Sequence, residues 1–206
     1  MKIAVISEVS ARHRNTDILD ALKQCGIDAL NVGMTAEGDD VELTYIHTGF
    51  MAGALLDMGI VDFVIGGCGT GQGFLNSAMQ YPGILCGLIQ EPLDAFLFSQ
   101  INAGNCVSLA LNKGYGWAGE LNLTYIFEKL FAGKAGAGFP AHRSMSQAES
   151  RKVLSGVSQA AHKPFGEIVN ELDPVIVKTA LSHKPFYDLI EKRRFKHFTS
   201  FVEDMK

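Results

Sequence analysis

The sequence predicts an α/β fold: a doubly wound, five-stranded parallel sheet with a helical extension at its C-terminal end. Three observations predict it. Five short apolar runs alternate with segments whose apolar residues recur every three or four positions. The third run empties into a glycine-rich turn, and beyond residue 131 strand-like runs cease. On these grounds the chain divides into an α/β unit over 1–132, a Gly-rich linker or arm over 133–145, and a helical C-terminal extension over 146–206.

Residues 3–6 form a continuous apolar run, as expected of a strand buried on both faces of a parallel sheet. Ser7-Glu8-Val9-Ser10 leads from it into a helix over 15–24, which Cys25-Gly26 ends. Glu8 stands just beyond the strand's carboxyl end, where ligands gather in open α/β sheets. Residues 28–33 predict a second strand and Glu37-Gly38-Asp39-Asp40 a polar loop. Leu43, Ile46, Phe50, Met51, Ala54 and Leu55 then give helical spacing over 42–58, with Tyr45 and His47 near the start.

The third strand opens the stretch Val61–Gly73, VDFVIGGCGTGQG, and is followed by a helix over 74–80. Free backbone amides at such a junction suit an anion, whether a bound acid group, a developing oxyanion or a thiolate. Cys68 is either a working residue there or a small hydrophobe in a tight turn. Thr70 fits a helix cap as well as a substrate contact. The loop lacks the spacing of a dinucleotide fingerprint and the lysine of a P-loop.

Pro82-Gly83 precedes a fourth strand over 84–89, Glu91-Pro92 opens a helix through residue 98, and Asn102 and Asn105 fit turn chemistry. The fifth strand covers 106–111, and a helix over 117–131 follows, with Trp117 expected to pack at its start. The extension predicts helices over 147–160, 166–172, 175–182 and 185–194, whose apolar faces require a surface to cover. His47, His142 and Arg143 read as solvated, as does the charge run from Lys192 to Lys196.

With 47% hydrophobic residues, 19% charged residues and a net charge of −4, the 206-residue chain has the composition of a soluble globular protein with a substantial core. Scattered basic residues argue against a nucleic-acid or membrane partner and for a small metabolite. Cys25, Cys68, Cys86 and Cys106 form no CxxC pair and no zinc spacing. They read as reduced thiols in the cytoplasm, with no metal site expected.

Taken together, Val61-Asp62, Gly67-Cys68-Gly69-Thr70-Gly71, Pro82-Gly83-Ile84, Glu91-Pro92 and Asn102…Asn105 resemble the ribose-5-phosphate isomerase B family, which includes the galactose-6-phosphate isomerase subunits. The resemblance runs from about Met1 to Arg143. It implies a Rossmann-like sheet, a homodimer or homotetramer with shared active sites, and no metal or organic cofactor. It further implies aldose–ketose isomerisation of a sugar phosphate through a cis-enediolate. Cys68 is then the base, and Thr70 with the amides of Gly69, Gly71 and Gly73 steadies the enediolate oxygen. Asn102 and Tyr45 match substrate-contacting positions.

Departures shape the expectation. Glu8-Val9 stands where the family has a substrate-contacting Asp-His pair, and Ile101 where it has the histidine credited with ring opening. The phosphate-binding cluster is thinned to His142-Arg143. These losses point to a short or open-chain sugar phosphate, or to Arg12, His13 or Arg14 taking over the phosphate. The competing readings are a sugar-phosphate-binding protein without catalysis and an obligate subunit of a hetero-oligomeric isomerase.

Overall fold

The computed structural model describes residues 1–38, 41–193, 198 and 201. Asp39 and Asp40 of the polar loop, and Arg194 to Lys196 of the charge run, lie outside the described residues.

Five parallel strands, β1 (Ile3–Ser7), β2 (Leu30–Asn31), β3 (Phe63–Cys68), β4 (Cys86–Ile89) and β5 (Cys106–Ala110), make one sheet in the order β2-β1-β3-β5-β4. The fold is the expected Rossmann-like α/β sheet. Strands β1 and β3 are buried along their whole length, which is why they read as unbroken apolar runs.

The second strand is far shorter than the six residues expected. It lies on the sheet edge with both side chains exposed, and its chain stays tied to β1 by single bonds from Val32 N to Val5 O and from Met34 N to Ser7 O, both 2.9 Å.

One face of the sheet carries α1 (Asn15–Gln24), α4 (Pro92–Leu97) and α5 (Gly119–Leu130), packed on Val5, Ile65, Val107 and Leu109. The other carries α2 (Tyr45–Asp57) and α3 (Gln72–Ala78). Helix α2 is apolar nearly all round because it is covered twice, by the sheet and by the C-terminal helices.

Those helices are α6 (Ser144–Ala161), α7 (Phe165–Glu171), α8 (Pro174–Ser182) and α9 (Lys184–Arg193). Phe165, Phe186 and Phe198 set their rings 5.9 to 6.4 Å from that of Phe50 on α2, so α7 to α9 share one core with the sheet. Helix α6 differs. It has no buried residue, and its Val153, Leu154 and Val157 stay exposed.

Two local expectations are corrected. Trp117 is 95% exposed and lies ahead of α5; Tyr115 takes the packing place, its ring filling the space a Cβ on Gly119 would need. His47 is not a free surface residue, since its Nδ1 accepts the Thr44 amide at 3.0 Å and closes the start of α2. Burial pushes its imidazole below the usual range. No helix among the described residues is long and apolar enough to cross a membrane.

Candidate active site

The carboxyl ends of β1, β3 and β5 lie side by side, with Ser7 in register with Gly67 and Cys68 with Ala110. Strand β3 can carry Phe74 against its face because residue 66 is glycine; a Cβ there would sit 2.1 Å from the Phe74 ring. The chain then turns sharply through Gly71, whose φ of 77° suits glycine. The Gly71 amide closes the turn on Cys68 O at 3.3 Å.

Inside this turn the Cys68 Sγ lies 3.9 Å from the Thr70 hydroxyl. That hydroxyl also accepts the Gln72 amide at 3.3 Å. Thr70 therefore takes the first amide of α3, just ahead of the N-cap position held by Gly71, and stands beside the thiol. Cys68 itself is 6% exposed.

Gly69 is held from both sides. Its amide donates to Ser10 Oγ at 3.0 Å, and its carbonyl accepts the amides of Asn112 and Lys113 at 3.0 and 2.8 Å. Asn112 Nδ2 also donates to Ser10 O at 2.8 Å, so the loops after β1, β3 and β5 are stitched together around one glycine.

This clasp takes up groups that the resemblance gave to substrate. Glu8 is 3% exposed, and its carboxylate accepts the amide of Ser10 at 3.1 Å and the Ser10 hydroxyl. The Gly69 and Gly71 amides are committed within the chain, to Ser10 and Cys68. Among the described residues, the loop amides left without an acceptor are those of Thr70, Gly73 and Phe74. Tyr45, the first residue of α2, lies over Gly73, with its ring carbons 2.8 Å from where a Cβ would stand.

Ser10 and Asn112 carry this arrangement and were not singled out in the sequence. Their signal was positional: each lies within three residues of the carboxyl end of a central strand.

Asn102 and Arg143 do not join the loop within one chain. Asn102 ends a π-helical turn, Phe98–Asn102, that precedes β5, so the strand from Cys106 to Ala110 puts at least ~13 Å between it and the Cys68 end. It lines an apolar-walled cavity of about 370 Å³ together with Met79, Leu85, Arg151, Leu154 and Val157. Arg143 is exposed at the start of α6, with Nε on Ser146 Oγ at 3.2 Å.

The glycine-rich arm is held against the π-helical turn, with Gly136 N on Ser99 O at 2.8 Å and Gly138 N on Gln100 O at 3.0 Å. Asn105 is structural, bridging Leu85 N and Gly83 O at the start of β4.

On the β1 side, Arg12–Arg14 form a single 3₁₀ turn. The Arg14 guanidinium stacks 3.9 Å over the Tyr115 ring and pairs with Asp17 at 3.3 Å. Burial, and then the Asp17 carboxylate that accepts its hydroxyl at 2.7 Å, hold the Tyr115 phenol well above the usual range. No three His, Cys, Asp or Glu side chains among the described residues gather as a metal site.

The model of the ribose/galactose isomerase family matches residues 3–133. No curated protein sequence matches the chain. A ribose-5-phosphate isomerase structure from Vibrio parahaemolyticus is 44% identical, covering 100% of this chain and 99% of that one with a TM-score of 0.91. A 4-deoxy-L-threo-5-hexosulose-uronate ketol-isomerase, complexed with a tartrate, is 35% identical over 99% and 98% of the two chains, with a TM-score of 0.92. The type B ribose 5-phosphate isomerase of Leishmania infantum shares the fold at 17% identity and a TM-score of 0.65, covering 78% of this chain.

Proposed function

Because the chain belongs to the ribose/galactose isomerase family, and is an isomerase of the intramolecular oxidoreductase class, we propose that it interconverts an aldose and a ketose bearing an acid group through a cis-enediolate. The observation that carries this reading is the placement of Cys68 beside Thr70 at the carboxyl end of the central strand, next to unspent loop amides. Cys68 Sγ takes the proton from the carbon next to the carbonyl and returns it to the former carbonyl carbon. Thr70 Oγ1 and the amides of Thr70 and Gly73 receive the charge that develops on oxygen. Tyr45 walls the site over Gly73.

The substrate is a short or open-chain sugar phosphate that needs no ring-opening histidine, in keeping with Val9 and Ile101. A second reading draws on the hexosulose-uronate ketol-isomerase, 35% identical over 99% of this chain: an open-chain sugar carboxylate takes the place of the phosphate. The enzyme acts in the cytoplasm as a homodimer whose sites are shared. One chain supplies the Cys68 loop, and its partner supplies Asn102 and Arg143, which a single chain keeps apart.

The deciding measurement is proton NMR in D₂O with a tetrose 4-phosphate, ribose 5-phosphate and a 4-deoxy-5-hexosulose uronate. Solvent deuterium should appear at the carbon beside the carbonyl of one of them and be lost in Cys68→Ser, by about 10²-fold or more. Exchange that persists in Cys68→Ser would remove the cysteine as base, and exchange with none of the three would remove the substrate assignment.

A further inference from the structure

An isomerase of an acid-bearing sugar must hold the acid group, and the positions that resemble the family's phosphate cluster are thin here. Among the described residues the basic side chains at the carboxyl end of the sheet are Arg12, His13 and Arg14 after β1, Lys113 after β5, and His47, whose Nδ1 is taken by the Thr44 amide at the start of α2. They are not equivalent. Arg14 is occupied, stacked on Tyr115 and paired with Asp17. His13 and Lys113 are exposed. Arg12 is half-buried, and no hydrogen-bond or ion-pair partner takes its guanidinium.

A half-buried arginine without a partner is unusual, because its planar fork of five donors is matched by a carboxylate or a phosphate and is left partly desolvated without one.

The backbone under Arg12 is fixed at the site. Ala11, fully buried, donates its amide to Glu8 O at 3.0 Å and accepts that of Arg14 at 2.9 Å, which sets the turn. Two residues before Arg12, Ser10 holds the Gly69 amide and accepts Asn112. The engaged Arg14 pins the other end of the same turn. Arg12 thus rises from a hydrogen-bonded turn whose Ser10 is directly bonded to Gly69 of the Cys68 loop.

We propose that Arg12 is the acid-binding residue of this isomerase, taking the terminal phosphate or carboxylate of the open-chain substrate while its carbonyl end lies at Cys68. This rests on the isomerase reading above, and it makes the β1 turn of the same chain, rather than the partner's Arg143, the principal anion contact. Phosphate and carboxylate share the chemistry a guanidinium recognises, so the two are separated by experiment.

The test titrates inorganic phosphate and tartrate separately into the full-length protein by calorimetry, for the wild type, Arg12→Gln, Arg12→Lys and Lys113→Gln. Arg12→Gln should weaken binding of the preferred anion at least tenfold and raise KM for the turned-over sugar by a similar factor, with kcat changed less. Arg12→Lys should recover part of the loss, and thermal unfolding of each variant reports its folding separately. Lys113→Gln, removing one equal charge from the same end, should change binding less than twofold.

The anion with the lower Kd identifies the acid group. Equal binding in wild type and Arg12→Gln, equal losses in Arg12→Gln and Lys113→Gln, or no binding of either anion to the wild type would each overturn the proposal. Anion binding lost in Arg12→Gln without sugar turnover in the wild type would leave the subsite standing and remove the isomerase substrate reading instead.

Discussion

The Ser10 hydroxyl receives the amide of Gly69 at 3.0 Å and gives its own proton to the buried carboxylate of Glu8. One side chain therefore links a buried acid to the residue that follows Cys68. Ser10→Ala would leave the Gly69 amide without an acceptor and Glu8 with one donor fewer. It should cost about 1–3 kcal/mol in urea unfolding. Because Gly69 adjoins Cys68, kcat should fall while KM moves little. Unchanged stability and unchanged kcat together would show that the clasp is idle.

Gly71 tests the turn itself. At φ 77°, with a Cβ placed 2.5 Å from Leu88 Cδ1, Gly71→Ala meets both backbone strain and a clash. A loss of about 1–3 kcal/mol is expected, and a larger loss of activity, since the Gly71 amide closes the turn that aims Cys68. A crystal structure of an active Gly71→Ala variant with the loop undisturbed would contradict this.

Shared sites predict complementation. Cys68→Ser and Asn102→Ala, each impaired alone, should regain activity when denatured together and refolded. Random pairing in a two-fold dimer makes one intact site in each mixed dimer, about a quarter of all sites. Recovery no greater than the sum of the two variants would place Asn102 and Cys68 in unrelated roles.

Tyr81 supplies a pH dependence. Burial pushes its phenol up from the usual 10 to about 12. Between those values the unfolded chain gives up a proton that the native chain keeps, so stability is intact below pH 10 and falls as pH rises towards 12. A decline of about 1–3 kcal/mol is expected over that window. Tyr81→Phe should flatten this part of the urea-midpoint profile, and an identical decline in the variant would assign it elsewhere.

The fold was legible because burial on both faces leaves an unbroken apolar run in strands such as β1 and β3, and because α1 keeps its apolar residues on one side. β2 was overread, since an edge strand needs no such run to be held by the chain beside it. Trp117 misled because its bulk says nothing about whether a neighbour such as Tyr115 already fills the space. Within the site, Cys68 and Thr70 stood out by their place in the turn. Glu8 did not reveal its role, because whether a carboxylate faces substrate or a serine two residues away depends on a side-chain direction that spacing does not encode. Ser10 and Asn112 act through contacts some 60 to 100 residues apart in sequence, which no local pattern displays.

The aromatic cover on Phe50 has a consequence for how the chain comes into being. Synthesis delivers α2 and the sheet first, and Phe165, Phe186 and Phe198 last. At cellular elongation rates that interval is on the order of ten seconds or more. Throughout it the ribosome-bound chain presents an apolar helix without its cover, the kind of surface that invites aggregation and that chaperones shield, and the core behind the Cys68 turn is finished only when the C-terminal helices arrive.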